Sequence, residues 1–122
     1  MILDKEKKNV KKIDKPWGYE LIWAQTEKYV GKILHIENGF CLSLQYHNIK
    51  DETILVKTGI LTLEIREEEN RKIFKMNPGE RFHIAPKTIH RMSAYDGEVE
   101  VIEVSTPELD DVVRLEDSYG RI

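Results

Sequence analysis

The sequence predicts an all-β domain of short antiparallel strands closed into a sandwich or barrel, and three observations carry that prediction. From residue 31 onward apolar and polar side chains alternate with a period of two. That alternation is broken at short intervals by Gly, Pro and Asn. No stretch of the middle of the chain shows the wider spacing of an amphipathic helix. At 122 residues the chain suits one hydrophobic core, since two would each be marginal.

The elements follow in order. Residues 1–12, where Lys5, Lys7, Lys8, Lys11 and Lys12 interleave with Asp4 and Glu6, are expected to form a flexible, solvated leader, and residues 13–122 the folded domain. Strands are expected near 20–24 and 31–37, and Asn38-Gly39 then favours the positive φ of a tight hairpin. Further strands fall near 41–47, 52–57 and 60–66. The polar run Glu67, Glu68, Glu69, Asn70 reads as a hairpin tip into 71–76. Asn77-Pro78-Gly79 turns the chain into 81–84, Ala85-Pro86-Lys87-Thr88 into 89–94, and Asp96-Gly97 into 98–105. Beyond Pro107 the alternation ends, and 108–117 is expected as a short helix or ordered tail.

Apolar residues make up 40% and charged residues 34%, enough to fill a core under a well-solvated surface. A net charge of -3 argues against nucleic-acid binding, which needs a clustered positive field. No run of about 20 apolar residues could span a membrane, and no stretch resembles a signal peptide. The single Cys41 cannot form an internal disulfide, so a reducing cytoplasm is the expected compartment.

The chemistry gathers in the strand Leu42-Ser43-Leu44-Gln45-Tyr46-His47. Successive side chains of a strand point to opposite faces, so Gln45 and His47 share one face while Leu44 and Tyr46 share the other. Four loop residues lead to Glu52, which can return a carboxylate beside them. The strand after Ala85-Pro86-Lys87-Thr88 can present His90 to the same interior. Two imidazoles, a carboxylate and an amide form a donor set without thiolate, suited to one divalent ion: Zn, with Mn, Fe, Co or Ni as alternatives.

The spacing is Gly39, five residues, Gln45, one residue, His47, four residues, Glu52, six residues, Gly59. It resembles the first motif of the cupin superfamily, with Gln45 where most cupins carry His. Gly79 followed by Ala85-Pro86-Lys87 and His90 is similar to the second motif. It departs at Ala85 (usually Pro), Lys87 (usually Gly) and Ala94 (usually Asn). The resemblance implies a double-stranded β-helix, or jelly-roll barrel.

The flanks narrow the match. Lys15-Pro16-Trp17-Gly18-Tyr19-Glu20, Leu42 to His47, Ile102-Glu103-Val104 and the run from Asp110 to Arg121 together resemble the cupin domain of type II mannose-6-phosphate isomerases, over about residues 13–121. In bifunctional members that domain follows a mannose-1-phosphate guanylyltransferase domain, which these 122 residues do not contain. The resemblance implies metal-dependent interconversion of mannose 6-phosphate and fructose 6-phosphate, with Gln45, His47, Glu52 and His90 as metal ligands. Glu52, His83, Glu103 and Arg91 are the catalytic candidates, the first three as proton-transfer groups expected to face the interior. His83 stands where relatives often carry Tyr. Lys50, Arg91 and Arg121 are candidate phosphate contacts, and Trp17 and Tyr46 complete the expected substrate-binding set, with Trp17 and Tyr19 able either to pack the N-terminal arm over the barrel mouth or to stack on a sugar. The expected partners are a sugar phosphate or sugar nucleotide and a second copy of the chain in a homodimer. Competing functions are another metal-dependent reaction (oxygenase, epimerase or lyase) and a non-catalytic sugar-binding module.

Overall fold

The computed structural model describes residues 8–122 and contains eleven strands and no helix among them. In chain order the strands are β1 (Lys11–Lys15), β2 (Gly18–Gln25), β3 (Val30–Ile36), β4 (Leu44–Tyr46), β5 (Glu52–Thr58) and β6 (Leu61–Glu67). They continue with β7 (Asn70–Met76), β8 (Arg81–Ile84), β9 (Ile89–Ser93), β10 (Val99–Ser105) and β11 (Val113–Glu116). All pairings are antiparallel. They build a six-stranded sheet ordered β1-β2-β3-β10-β5-β8 and a five-stranded sheet ordered β11-β4-β9-β6-β7.

Alternation decides which face of each strand is buried. On β3, Leu34 and Ile36 point inward; on β10, Val99 and Val101; on β5, Ile54 and Val56; all are at most 2% exposed. Leu61, Leu63 and Ile65 of β6 and Met92 of β9 meet them from the other sheet, and Trp17 closes the same core. Each such side chain contributes roughly 1.5–3 kcal/mol by leaving water, so this double row holds the two sheets together. Two glycines are fixed by close approach. A Cβ on Gly18 would fall 1.9 Å from the His35 carbonyl oxygen, and one on Gly59 would fall 2.3 Å from that of Glu98.

The expected strands from 20 to 105 are all present in the expected order. Two elements differ. The stretch expected as a helix or tail instead places Val113–Glu116 in strand β11, paired with β4. Strand β1 takes Lys11 and Lys12 out of the expected leader and pairs them with Ile22 and Leu21. The rest of that leader lies mostly outside the described residues. No helix among the described residues is long and apolar enough to cross a membrane.

Candidate metal centre and its cavity

Three strands bring the donors together. His47 follows β4, Glu52 opens β5 and His90 lies on β9, and all three are at most 5% exposed. Their ligand atoms lie within 4.8 Å of one another. His47 Nδ1 is 2.6 Å from the Asp111 carbonyl oxygen, and His90 Nδ1 is 2.8 Å from that of Thr88. A carbonyl only accepts, so each Nδ1 carries the donated proton and each Nε2 keeps a lone pair. Both Nε2 atoms face Glu52 Oε1 at 3.3 Å, and neither makes a hydrogen bond there.

Acceptor therefore faces acceptor in a buried space, an arrangement that costs free energy unless a cation sits between them. Two buried imidazolium rings could supply the charge only by repelling one another across a ring separation of 5.3 Å. A divalent cation satisfies all three donors at once, and the carbonyl-anchored imidazoles are already in the ligating tautomer. The residues present fit a metal ion.

The backbone around the donors is held by Asp111. Its carboxylate accepts from the amides of Asn48, Ile49 and Lys50 at 3.1, 2.7 and 2.9 Å, fixing the loop between His47 and Glu52. The amide of Lys87 donates to the His47 carbonyl at 2.6 Å, tying the turn before His90 to the same loop. Gln45 stands opposite His90 in the β4–β9 pairing and borders the cavity. Its Oε1 accepts from Ser43 Oγ at 2.6 Å. The structure thus clusters three of the four expected ligands and sets Gln45 one strand from His90.

Behind Glu52 lies a buried ion pair. Lys50 Nζ is 3.2 Å from Glu52 Oε2, without hydrogen-bond geometry at that oxygen, and donates to Glu103 Oε2 at 3.3 Å. Burial raises the Glu52 carboxyl, and the Lys50 ammonium beside it pulls the other way. Burial, then the Glu52 charge, push Glu103 upward against the pull of Lys50. Lys50 would be lowered by burial, yet Glu103 and Glu52 together hold it above its ordinary value.

Of the three donors His47 borders a cavity of about 270 Å³ between the sheets, lined also by Gln45, Lys50 and Trp17, whereas Glu52 and His90 do not line it. Its far wall comes from β1, β2, β3 and the segment around β11, including Lys11, Lys15, Glu20, Lys32 and Arg114. None of these five was singled out as a site residue from sequence, because charges on a strand without apolar alternation look like a solvated face.

Several sequence expectations are corrected. Arg91 follows His90 directly and so points to the opposite, outer face, where Nη2 donates to the Glu116 carbonyl at 3.3 Å. His83 sits between inward-facing Phe82 and Ile84 and is turned outward, 2.6 Å from Asp51, with its side chain 57% exposed. Tyr46 lies on the face opposite Gln45 and does not line the cavity. Tyr19 stacks on His35 at 4.7 Å on the exterior. Trp17 is 2% exposed and belongs to the core as well as the cavity wall. Arg121 reaches the cavity, but Asp117 holds its guanidinium through two hydrogen bonds of 2.9 Å.

The comparisons bear on this geometry. Residues 3–117 match the family model described as "Mannose-6-phosphate isomerase C-terminal". The chain belongs to this mannose-6-phosphate isomerase C-terminal family. Similar proteins include the alginate biosynthesis protein AlgA of Pseudomonas fluorescens, 31% identical over 95% of this chain. The xanthan biosynthesis protein XanB of Xanthomonas campestris pv. campestris is 31% identical over 91% of it. The chain spans about a quarter of these relatives' length, 24% of each. Among solved structures, the capsular polysaccharide assembling protein CapF of Staphylococcus aureus superposes with a TM-score of 0.79 at 15% identity, covering 90% of this chain and 35% of its own. Oxalate decarboxylase of Bacillus subtilis gives 0.76 at 15%, covering 87% and 30%. KdgF of Halomonas sp. gives 0.67 at 22%, covering 83% and 91%. These likenesses establish the cupin fold.

Proposed function

We propose that this member of the mannose-6-phosphate isomerase C-terminal family is a metal-dependent sugar-phosphate isomerase interconverting mannose 6-phosphate and fructose 6-phosphate. The observation that carries the proposal is the triad His47, Glu52 and His90, with its lone pairs unsatisfied, beside the buried Lys50–Glu103 pair at the end of a cation-lined cavity. His47, Glu52 and His90 would hold the ion, with Gln45 within one strand as a further oxygen donor. A bound divalent cation polarises a carbonyl and stabilises negative charge on its oxygen.

The remaining work falls to the chain's own groups. Lys50 lines the cavity and presents an ammonium group to the sugar oxygens at C1 and C2. Glu103 lies 3.3 Å behind it, not on the cavity wall, and its carboxylate holds the Lys50 ammonium charged and in place. Trp17 gives the sugar an apolar wall.

The test is isomerisation in D₂O by the zinc-loaded chain, followed by NMR. Deuterium should enter C2 of mannose 6-phosphate as fructose 6-phosphate appears. Glu103→Gln should slow exchange by about 10-fold or more, because the Lys50 ammonium is then less firmly placed, while leaving zinc stoichiometry at one. Chelation should abolish turnover reversibly. Binding of hexose 6-phosphates without any C2 exchange would defeat the isomerase assignment and leave a sugar-binding module.

A further inference from the structure

The cavity lining carries six cationic side chains, Lys11, Lys15, Lys32, Lys50, Arg114 and Arg121, against two acidic ones, Glu20 and Asp110. This excess stands inside a protein of net charge -3, so it is a local arrangement. Three of the six are already engaged: Lys32 with Glu20 at 3.4 Å, Lys50 with Glu52 and Glu103, and Arg121 with Asp117. Among the described residues Lys11, Lys15 and Arg114 make no ion pair or side-chain hydrogen bond; Arg114 Nε is buried without a partner, and its charge is felt by Asp117. The Asp110 carboxylate is the one lining acid without an ion pair.

Backbone register fixes where these groups sit. Lys11, Ile13 and Lys15 occupy alternate positions of β1 and all three line the cavity, so they share its face, with Lys11 at the exposed rim and Lys15 half-buried. On the other sheet Arg114 pairs with Gln45, and Gln45 pairs with His90. Paired residues of neighbouring strands share a face, so Arg114, Gln45 and His90 form one inward row. At a strand spacing of about 4.8 Å, Arg114 stands roughly 10 Å from His90 along that row. A six-carbon sugar with its carbonyl end at the metal centre would lay its far end beside Arg114, in the cavity that Lys11 and Lys15 also line.

We infer that Lys11, Lys15 and Arg114 form the anion site of this cavity and recognise the phosphate of a sugar phosphate whose other end lies at His47, Glu52 and His90. The inference rests on the isomerase proposal for the identity of the sugar, but not for the binding of phosphate. A half-buried arginine whose Nε is enclosed and open suits a phosphate oxygen, and two flexible ammonium groups complete its charge. The phosphate contacts expected from sequence, Lys50, Arg91 and Arg121, do not supply this function: the first is paired with Glu52 and Glu103, the second faces outward and the third is held by Asp117.

Calorimetric titration of zinc-loaded protein with mannose 6-phosphate, free mannose and inorganic phosphate tests the inference. The wild-type chain should bind both phosphate-bearing ligands, with mannose the weakest of the three. The double variant Lys15→Ala/Arg114→Ala should lose about 10- to 100-fold in affinity for mannose 6-phosphate and for inorganic phosphate. Its zinc stoichiometry and its weak binding of mannose should stay unchanged. Arg114→Lys should lose less than Arg114→Ala, separating charge recognition from a folding defect. Where turnover is measurable, KM should rise with kcat little altered, the signature of lost uniform binding. Wild-type affinity for phosphate in the double variant would overturn the anion site even if isomerisation is observed. Lost phosphate affinity in a chain that isomerises no hexose phosphate would uphold the site and reject the isomerase.

Discussion

Lys87 holds a backbone conformation that its side chain disfavours. Its φ is +68°, in the left-handed region, at the position where the second cupin motif usually carries Gly. The conformation is retained because the Lys87 amide donates to His47 and the next amide closes the turn on Ala85 at 3.2 Å. Glycine would adopt the same φ without the Cβ penalty, although it adds entropy to the unfolded chain. Lys87→Gly should therefore raise unfolding stability by roughly 0.5–1 kcal/mol, with the left-handed penalty of about 1–2 kcal/mol setting the upper limit. Denaturant unfolding of the two chains checks this, and a loss of stability would show that the Lys87 side chain matters more than its φ. At this scale much was legible. The spacing of His47, Glu52 and His90 marked the clustered donors because chemistry needs those residue types at those positions. The misplaced residues were legible too, had alternation been applied throughout: Arg91 beside His90, Tyr46 between Gln45 and His47, and His83 between Phe82 and Ile84 all have the wrong parity for the interior.

The strands that sequence did not reveal, β1 and β11, share a physical cause. Apolar alternation records burial against a core, and each of these strands turns an inward face to the cavity rather than to that core. Lys11 and Lys15 on β1, and Arg114 on β11, occupy the positions where a core strand would place Val or Leu. Polar groups that serve a ligand erase the pattern that reports a strand, so the elements most involved in binding were the least legible. The segment after β11 is fastened by charge as well. Asp117 accepts from the Arg121 backbone amide at 2.7 Å and from its guanidinium, while the Tyr119 hydroxyl donates to the Cys41 carbonyl at 2.7 Å. The Arg121 guanidinium lowers Asp117 from an ordinary 3.8 to about 2. A depressed carboxylate contributes stability that is present above its unfolded value and is lost as pH falls through its folded value. The closing segment should therefore stay docked at pH 4 and above, and loosen as pH drops from about 4 toward about 2. The Arg121 Nε resonance reports this directly. Asp117→Asn should abolish that pH dependence and release the segment at neutral pH.

At the scale of the molecule, one face remains to be accounted for. The six-stranded sheet turns its inner side to the core and cavity, and its outer side carries an unbroken register row: Lys12, Leu21, Ile33, Ile102, Leu55, Arg81. The four central residues are aliphatic and only half-buried. Beside them Val104 is 47% exposed and Trp23 50% exposed, the indole lying against Gly31, where a Cβ would come within 2.7 Å of the ring. An aliphatic centre with a charged rim has the anatomy of a protein interface. Six strands at about 4.8 Å and three side-chain rows at roughly 7 Å give about 600 Å² per copy. Two such faces would bury about 1,200 Å², the lower end of the range for a specific dimer. We propose that a second copy of this chain covers this face, giving the homodimer expected from sequence and leaving the cavity mouths free. A modest, flat contact of this size predicts a reversible dimer, so sedimentation equilibrium should show mass rising with concentration toward twice the 14.3 kDa chain. Ile33→Glu should hold the protein monomeric, because a charge at the centre of the row cannot be desolvated without a partner. Zinc stoichiometry should be unaffected, since Ile33 points away from the donors. A wild-type chain that sediments as a monomer at every concentration, or an Ile33→Glu variant that still dimerises, would reject this face as the interface.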